Sequence, residues 1–191
     1  MMRIITGKAR GVRLDAPAGE STRPTSERAK EAIFSMLQFE MEDRTILDLY
    51  AGSGQLGLEA LSRGGAHAVL VDRDRNAVEI IKKNTMKTRL APECEVFCAD
   101  DAEFLRGCRG KRHFDLIFLD PPYALRRIPE ALRLLKKYRA LAPHATVVCE
   151  SEAEEDVFGG DSALEALFTV RRTAKYGIAV VTVLEYRGEE A

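Results

Sequence analysis

The chain has 191 residues, 46% hydrophobic and 31% charged, with a formal net charge of −1. That length supports one domain with a full core, or one domain with a small appendage, and the near-neutral balance excludes a protein that is basic throughout. No apolar run approaches the roughly 20 residues of a membrane helix and the start, Met1-Met2-Arg3-Ile4-Ile5, lacks a signal-peptide core, so a cytoplasmic protein is expected.

Charge is distributed unevenly. Residues 1–30 carry Arg3, Lys8, Arg10, Arg13, Arg23, Arg28 and Lys30 against Asp15, Glu20 and Glu27, which suggests a local nucleic-acid contact. Arg3 to Leu14 predicts a short hairpin with glycines near its turn, ended by Pro17 and Gly19. A helix follows, with Thr25 or Ser26 as its N-cap and Glu27 in its first turn, because Ala29, Ala32, Ile33, Met36 and Leu37 share one helical face.

From Thr45 strands and helices alternate: strand 45–50, helix 55–63 closed by Gly64-Gly65, strand 67–72, helix 75–87, strand 95–99, a short helix with Phe104 and Leu105, strand 114–119, helix 128–138 with Leu132 and Leu135 inward, and strand 146–150. This alternation predicts a parallel sheet with helices on both faces. Phe168 to Ala174 and Ile178 to Tyr186 are joined by a short turn through Tyr176-Gly177 and must form an antiparallel hairpin. Residues 150–161 are acidic and offer no functional hint. Cys94, Cys98, Cys108 and Cys149 contain no C-x-x-C pair and His67, His113 and His144 are scattered, so reduced thiols and no metal site are expected.

The organising stretch is Thr45 to Gly57, T-I-L-D-L-Y-A-G-S-G-Q-L-G. A strand that turns through Gly52, Ser53 and Gly54 into a helix makes a ligand-binding corner, because glycines allow the tight turn and a close approach. Asp48 precedes the turn, and Asp72 ends the next strand, where a ribose diol could donate to it. Gly52-x-Gly54-x-x-Gly57 also satisfies the dinucleotide fingerprint. Asp48 decides against that reading, since a carboxylate would repel a pyrophosphate and suits a ligand bearing an ammonium group. S-adenosylmethionine fits all of these groups. Open parallel sheets bind ligands at the carboxyl ends of their strands, and Asp48, Asp72, Asp100 and Asp120 occupy four such tips.

Asp120-Pro121-Pro122-Tyr123 carries the second chemistry. Prolines stiffen the loop and lack N–H groups. The Asp120 carboxylate and the Pro121 carbonyl can accept both hydrogens of an exocyclic amine, aiming its lone pair at a methyl donor. Tyr123 offers a face on which a base can stack. A base in a helix must first be extruded, at a cost of a few kcal/mol. Arg23, Arg126 and Arg127 are candidate phosphate contacts, with a basic loop at Arg106, Arg109, Lys111 and Arg112.

D-P-P-Y, D-L-Y-A-G-S-G, R-I-I-T-G-K-A-R-G and R-P-T-S-E-R together resemble the RsmD family of small-subunit ribosomal RNA guanine-N2 methyltransferases, from Arg3 to about Glu152. The resemblance implies an α/β, Rossmann-like class I methyltransferase: a mostly parallel seven-stranded sheet ending in an antiparallel hairpin, with residues 1–40 as an RNA-contacting extension and 41–191 as the methyltransferase domain. It implies that Asp48, Gly52 and Gly54 hold the methionine part of the cofactor, with Tyr50, Ser53 and Arg73 also among the cofactor-binding residues. Asp72 would bind the ribose hydroxyls, and Asp100 or Asp101 the adenine amine. Asp120 to Tyr123 would hold the guanine, with Arg23, Pro24 and Thr25 bordering the pocket. The partner would be small-subunit ribosomal RNA or an assembling subunit. The alternatives are a DNA adenine-N6 methyltransferase, which usually carries a separate target-recognition domain, a dehydrogenase, and a non-catalytic RNA-binding assembly factor.

Overall fold

A computed structural model describes residues 2–16, 27–152 and 155–188. Strands β1 (Thr45–Asp48), β2 (His67–Asp72), β3 (Cys94–Cys98), β4 (Phe114–Leu119), β5 (Leu141–Glu152), β6 (Phe168–Tyr176) and β7 (Ala179–Tyr186) form one sheet in the order β3-β2-β1-β4-β5-β7-β6. The first five are mutually parallel, and β7 runs antiparallel to both β5 and β6. Helices α1 (Glu27–Met36), α2 (Gln55–Ser62), α3 (Arg75–Thr88), α4 (Asp101–Cys108), α5 (Ile128–Lys137) and α6 (Ser162–Glu165) cover the sheet.

Side-chain alternation divides the apolar strands between two cores. Leu47, Val69, Val71 and Ile117 face one layer and Ile46, Leu70, Leu116 and Phe118 the other, each 0–1% exposed. A strand buried on both faces must be apolar at every position, which is why these runs show no polar alternation. The strand order reverses between β1 and β4, so their carboxyl ends splay apart and open a crevice.

Several boundaries differ from expectation. β1 stops at Asp48, where the chain turns toward the glycines, and β3 spans 94–98 rather than 95–99. β5 begins at Leu141, five residues early, and its pairing with β4 shifts register between Phe114 and Leu116. Pro143 and the left-handed His144 (φ 57°) hide that extension from a propensity reading. The terminal hairpin turns at Gly177-Ile178, with Gly177 at φ 66°. Helix α6 and 3₁₀ turns at Ala91–Glu93 and Tyr123–Leu125 were not expected.

The N-terminal arm forms a single antiparallel bridge, Arg3 to Arg13, in place of a full hairpin. Its rigidity comes from α2. The fully buried Glu59 accepts the Ile5 and Thr6 amides at 2.7 and 3.0 Å and lies 3.4 Å from the Lys30 ammonium and 2.8 Å from Arg63 Nε. Ser62 Oγ donates to the Thr6 carbonyl and accepts the Ala9 amide. A Cβ at Gly7 would stand 1.7 Å from the Ser62 carbonyl oxygen, so only glycine fits this close approach. The expected N-cap at Thr25 or Ser26 lies outside the described residues. No helix among the described residues is long and apolar enough to cross a membrane.

Candidate active site

A cavity of about 930 Å³ opens at the carboxyl ends of the central strands, lined by Asp48, Asp72, Asp100 and Asp120 together with Glu150. The four acids expected at strand tips therefore converge on one space.

The glycine corner forms its wall. Gly52 and Gly54 have φ of 55° and 77°, in the region that disfavours side chains, and Gly54 leads directly into α2. Asp48 is 1% exposed and accepts the Gly57 amide at 3.0 Å. A Cβ at Gly57 would meet Leu70 Cδ2 at 2.2 Å, so this glycine keeps α2 against β1 and β2. Burial pushes the Asp48 carboxyl up to about 7, the Gly57 hydrogen bond opposes the rise, and the nearby Asp72 charge adds to it. Asp72 Oδ2 accepts the Gly52 amide and Oδ1 the Asp74 amide, both at 2.8 Å, which aims the carboxylate across the corner. Arg73 is exposed at the rim.

The N-terminal arm also touches this corner. The buried Asn84 donates to the Ser53 carbonyl at 2.9 Å and to the Asp15 carbonyl at 3.0 Å, and Ser53 Oγ lies 3.0 Å from Met2 Sδ. No sequence pattern linked Asn84 to the glycines, because its contact depends on how α3 packs.

Asp100 and Asp101 separate by environment. Asp100 is exposed at the cavity and caps α4 by accepting the Glu103 amide at 2.7 Å. Asp101 is 6% exposed. It accepts the Tyr50 hydroxyl at 2.5 Å and the Arg127 guanidinium at 2.7 to 3.1 Å. Burial would raise the Asp101 carboxyl, but the bonds from Arg127 and Tyr50 outweigh it and hold the group below its ordinary range. Burial first, then the hydrogen bond to Asp101 and the Asp101 charge, push the Tyr50 phenol well up. Tyr50, Asp101 and Arg127 thus brace the tip of β1, the start of α4 and the loop before α5. Arg127, expected among phosphate contacts, is an ion-pair partner in the cavity wall. Arg126 is exposed beside it at φ 44°, and Arg23, Pro24 and Thr25 lie outside the described residues.

Asp120 is the first residue beyond β4. Pro121 is buried, Pro122 has φ −52° and ψ 122°, and the Pro122 carbonyl accepts the Leu125 amide to close a tight turn at Tyr123. The Tyr123 hydroxyl donates to Glu150 Oε1 at 3.0 Å. Glu150 was hidden within the acidic run, although strand five also ends at this edge, so the strand-tip rule that found the other four acids would have found it. Leu119, the last residue of β4, pairs with Cys149, so Asp120 and Glu150 each follow a member of that pair at the same edge of the sheet.

The sequence pattern of the family described as conserved hypothetical protein 95 matches residues 2–185. The chain belongs to this family, the RsmD family. Ribosomal RNA small subunit methyltransferase D of Escherichia coli is 38% identical over 153 residues, 80% of this chain and 76% of the relative. The protein of the same name from Haemophilus influenzae is 35% identical over 155 residues, 81% of this chain and 80% of the relative. The solved structure of yhhF from Escherichia coli superposes with a TM-score of 0.84 at 32% identity, covering 98% of each chain. The family's shared stretch includes both the glycine corner and the Asp120 loop. Among the described residues no group of three His, Cys, Asp or Glu side chains could hold a metal ion.

Proposed function

We propose that the chain transfers a methyl group from S-adenosylmethionine to the exocyclic N2 amine of a guanine in small-subunit ribosomal RNA. The observation that carries this reading is the presence of the glycine corner and the Asp120-Pro121-Pro122-Tyr123 loop in one cavity. The names of the Escherichia coli and Haemophilus influenzae relatives supply the RNA class.

The cavity suits the cofactor. Asp48 is a buried carboxylate that a ligand ammonium would hold in its charged form, and Asp72 faces the space with two oxygens for ribose hydroxyls. Asp100 offers its carboxylate to the adenine amine, while Asp101 is taken up by Tyr50 and Arg127. The bound cofactor supplies an electrophilic methyl on a sulfonium, so the residues need not generate a strong nucleophile. Asp120 and the Pro121 carbonyl accept the two amine hydrogens and orient the nitrogen lone pair. As the N–C bond forms and the S–C bond breaks, the electron pair stays on sulfur. The Asp120 carboxylate stabilises the cationic amine and takes its surplus proton to solvent. Tyr123 stacks on the base. Arg23 and Arg126 contact RNA phosphates and Pro24 and Thr25 border the pocket, whether the substrate is naked RNA or an assembling subunit.

Asp120→Ala tests the assignment. Calorimetric affinity for S-adenosylmethionine stays near wild type while transfer to under-methylated small subunits falls by about 10²-fold or more. Unchanged transfer would remove Asp120 from the chemistry.

A further inference from the structure

We infer that Glu150 reads the guanine, accepting the N1–H of the base whose N2 amine is held by Asp120. The inference rests on the reading above and names the residue that selects the base. Three observations converge. Glu150 is 5% exposed and lines the cavity near the carboxyl end of β5, two residues before its last, Glu152. It stands one step past the Leu119–Cys149 pair, as Asp120 does, on strands spaced by about 4.8 Å. Its Oε1 accepts the Tyr123 hydroxyl at 3.0 Å, which ties the carboxylate to the ring proposed to stack on the base.

The chemistry of the base explains why a second carboxylate belongs there. Holding an amine requires only the acceptors at Asp120 and Pro121, and adenine and guanine both carry an amine. Beside its amine, guanine presents a ring N–H donor at N1, whereas adenine presents an acceptor. A carboxylate next to Asp120 therefore attracts guanine and repels adenine, since an acceptor facing an acceptor leaves both unpaired in a water-poor site. The carboxylates of Asp120 and Glu150 together match the N2–H and N1–H donors that adjoin on guanine. The Tyr123 hydroxyl restricts Glu150 to a narrow range of rotamers, so the acceptor is in place before the base arrives.

The test replaces one atom pattern in the base. Under-methylated small subunits first serve to map the methylated nucleotide. Subunits are then rebuilt with RNA carrying guanine or 2-aminopurine at that position, since 2-aminopurine keeps the N2 amine and lacks the N1–H. Wild-type protein should prefer guanine by about 10- to 100-fold in kcat/KM, the range of a hydrogen bond to a charged group. Glu150→Gln should lower the guanine rate, and its amide can donate to the N1 acceptor of 2-aminopurine, so the preference should collapse to within about threefold. Tyr123→Phe keeps the stacking ring and releases Glu150, so it should lose part of the preference. Wild-type protein that methylates both bases equally overturns the inference without any variant. So does Glu150→Gln lowering both rates equally, which would make Glu150 only a support for Tyr123. If guanine subunits accept no methyl from wild-type protein, the proposed reaction fails instead, and with it the basis for a base reader.

Discussion

Asp48→Asn provides the most quantitative check on the cofactor corner. Asp48 is 1% exposed, and burial raises its carboxyl from 3.8 to about 7. The folded chain thus holds a proton that the unfolded chain has released between about pH 4 and pH 7. Stability contributed by this site is greatest at low pH and falls as pH rises toward 7, levelling off above it. At 1.36 kcal/mol per pH unit the full penalty is about 4 kcal/mol, a ceiling reached near pH 8. At pH 5 only about a third of it is present. Asparagine keeps an acceptor for the Gly57 amide and carries no charge, so its advantage over wild type should grow by about 3 kcal/mol between pH 5 and pH 8. For a chain this long that is a Tm difference widening by about 6–12 °C, read by scanning calorimetry without cofactor. The same variant should lose S-adenosylmethionine affinity by about 10- to 100-fold at pH 8. Wild-type affinity should weaken by up to about tenfold per pH unit below 7, while the variant stays flat. A stability difference identical at both pH values, together with unchanged affinity, would refute the placement of a strained carboxyl at the ammonium subsite.

Gly57→Ala should destabilise the fold by about 1–3 kcal/mol in urea unfolding, because the new methyl meets Leu70 at 2.2 Å and crowds Asp48. Arg127→Met removes the partner of the buried Asp101 and should cost on the order of 1–3 kcal/mol, the guanidinium being a third exposed. The double variant Arg127→Met/Asp101→Asn should recover part of that loss, and additive losses would show that the brace is not a unit. Glu59→Gln should weaken the seat of the N-terminal arm by about 2–4 kcal/mol, visible as faster amide exchange at Ile5 and Thr6. Exchange unchanged at those two amides would mean that the arm is held elsewhere.

The parallel sheet and its antiparallel end were legible because doubly buried strands appear as unbroken apolar runs and a two-residue connection permits one geometry. Four of the five strand-tip acids were legible for the same reason: strand direction fixes which end meets ligand. What escaped reading depended on packing at long range. The proton affinity of Asp48 reflects burial by α2, the loss of Asp101 to Arg127 depends on where the loop before α5 turns back, and Asn84 reaches Ser53 only once α3 has docked. Pro143 and His144 concealed the first half of β5, since residues that disfavour strands occupy an irregular stretch where pairing with β4 shifts register. Glu150 was lost among acidic neighbours, and only its place at the same sheet edge as Asp120 separates it from a solvated charge run.

The most direct measurement offers isotopically labelled S-adenosylmethionine with under-methylated small ribosomal subunits, their naked RNA and DNA, followed by nucleoside mass spectrometry. Labelled N2-methylguanosine is expected from the ribosomal material and none after Asp120→Ala. Labelled N6-methyladenine in DNA, or label that persists in the Asp120→Ala protein, would contradict the proposed reaction.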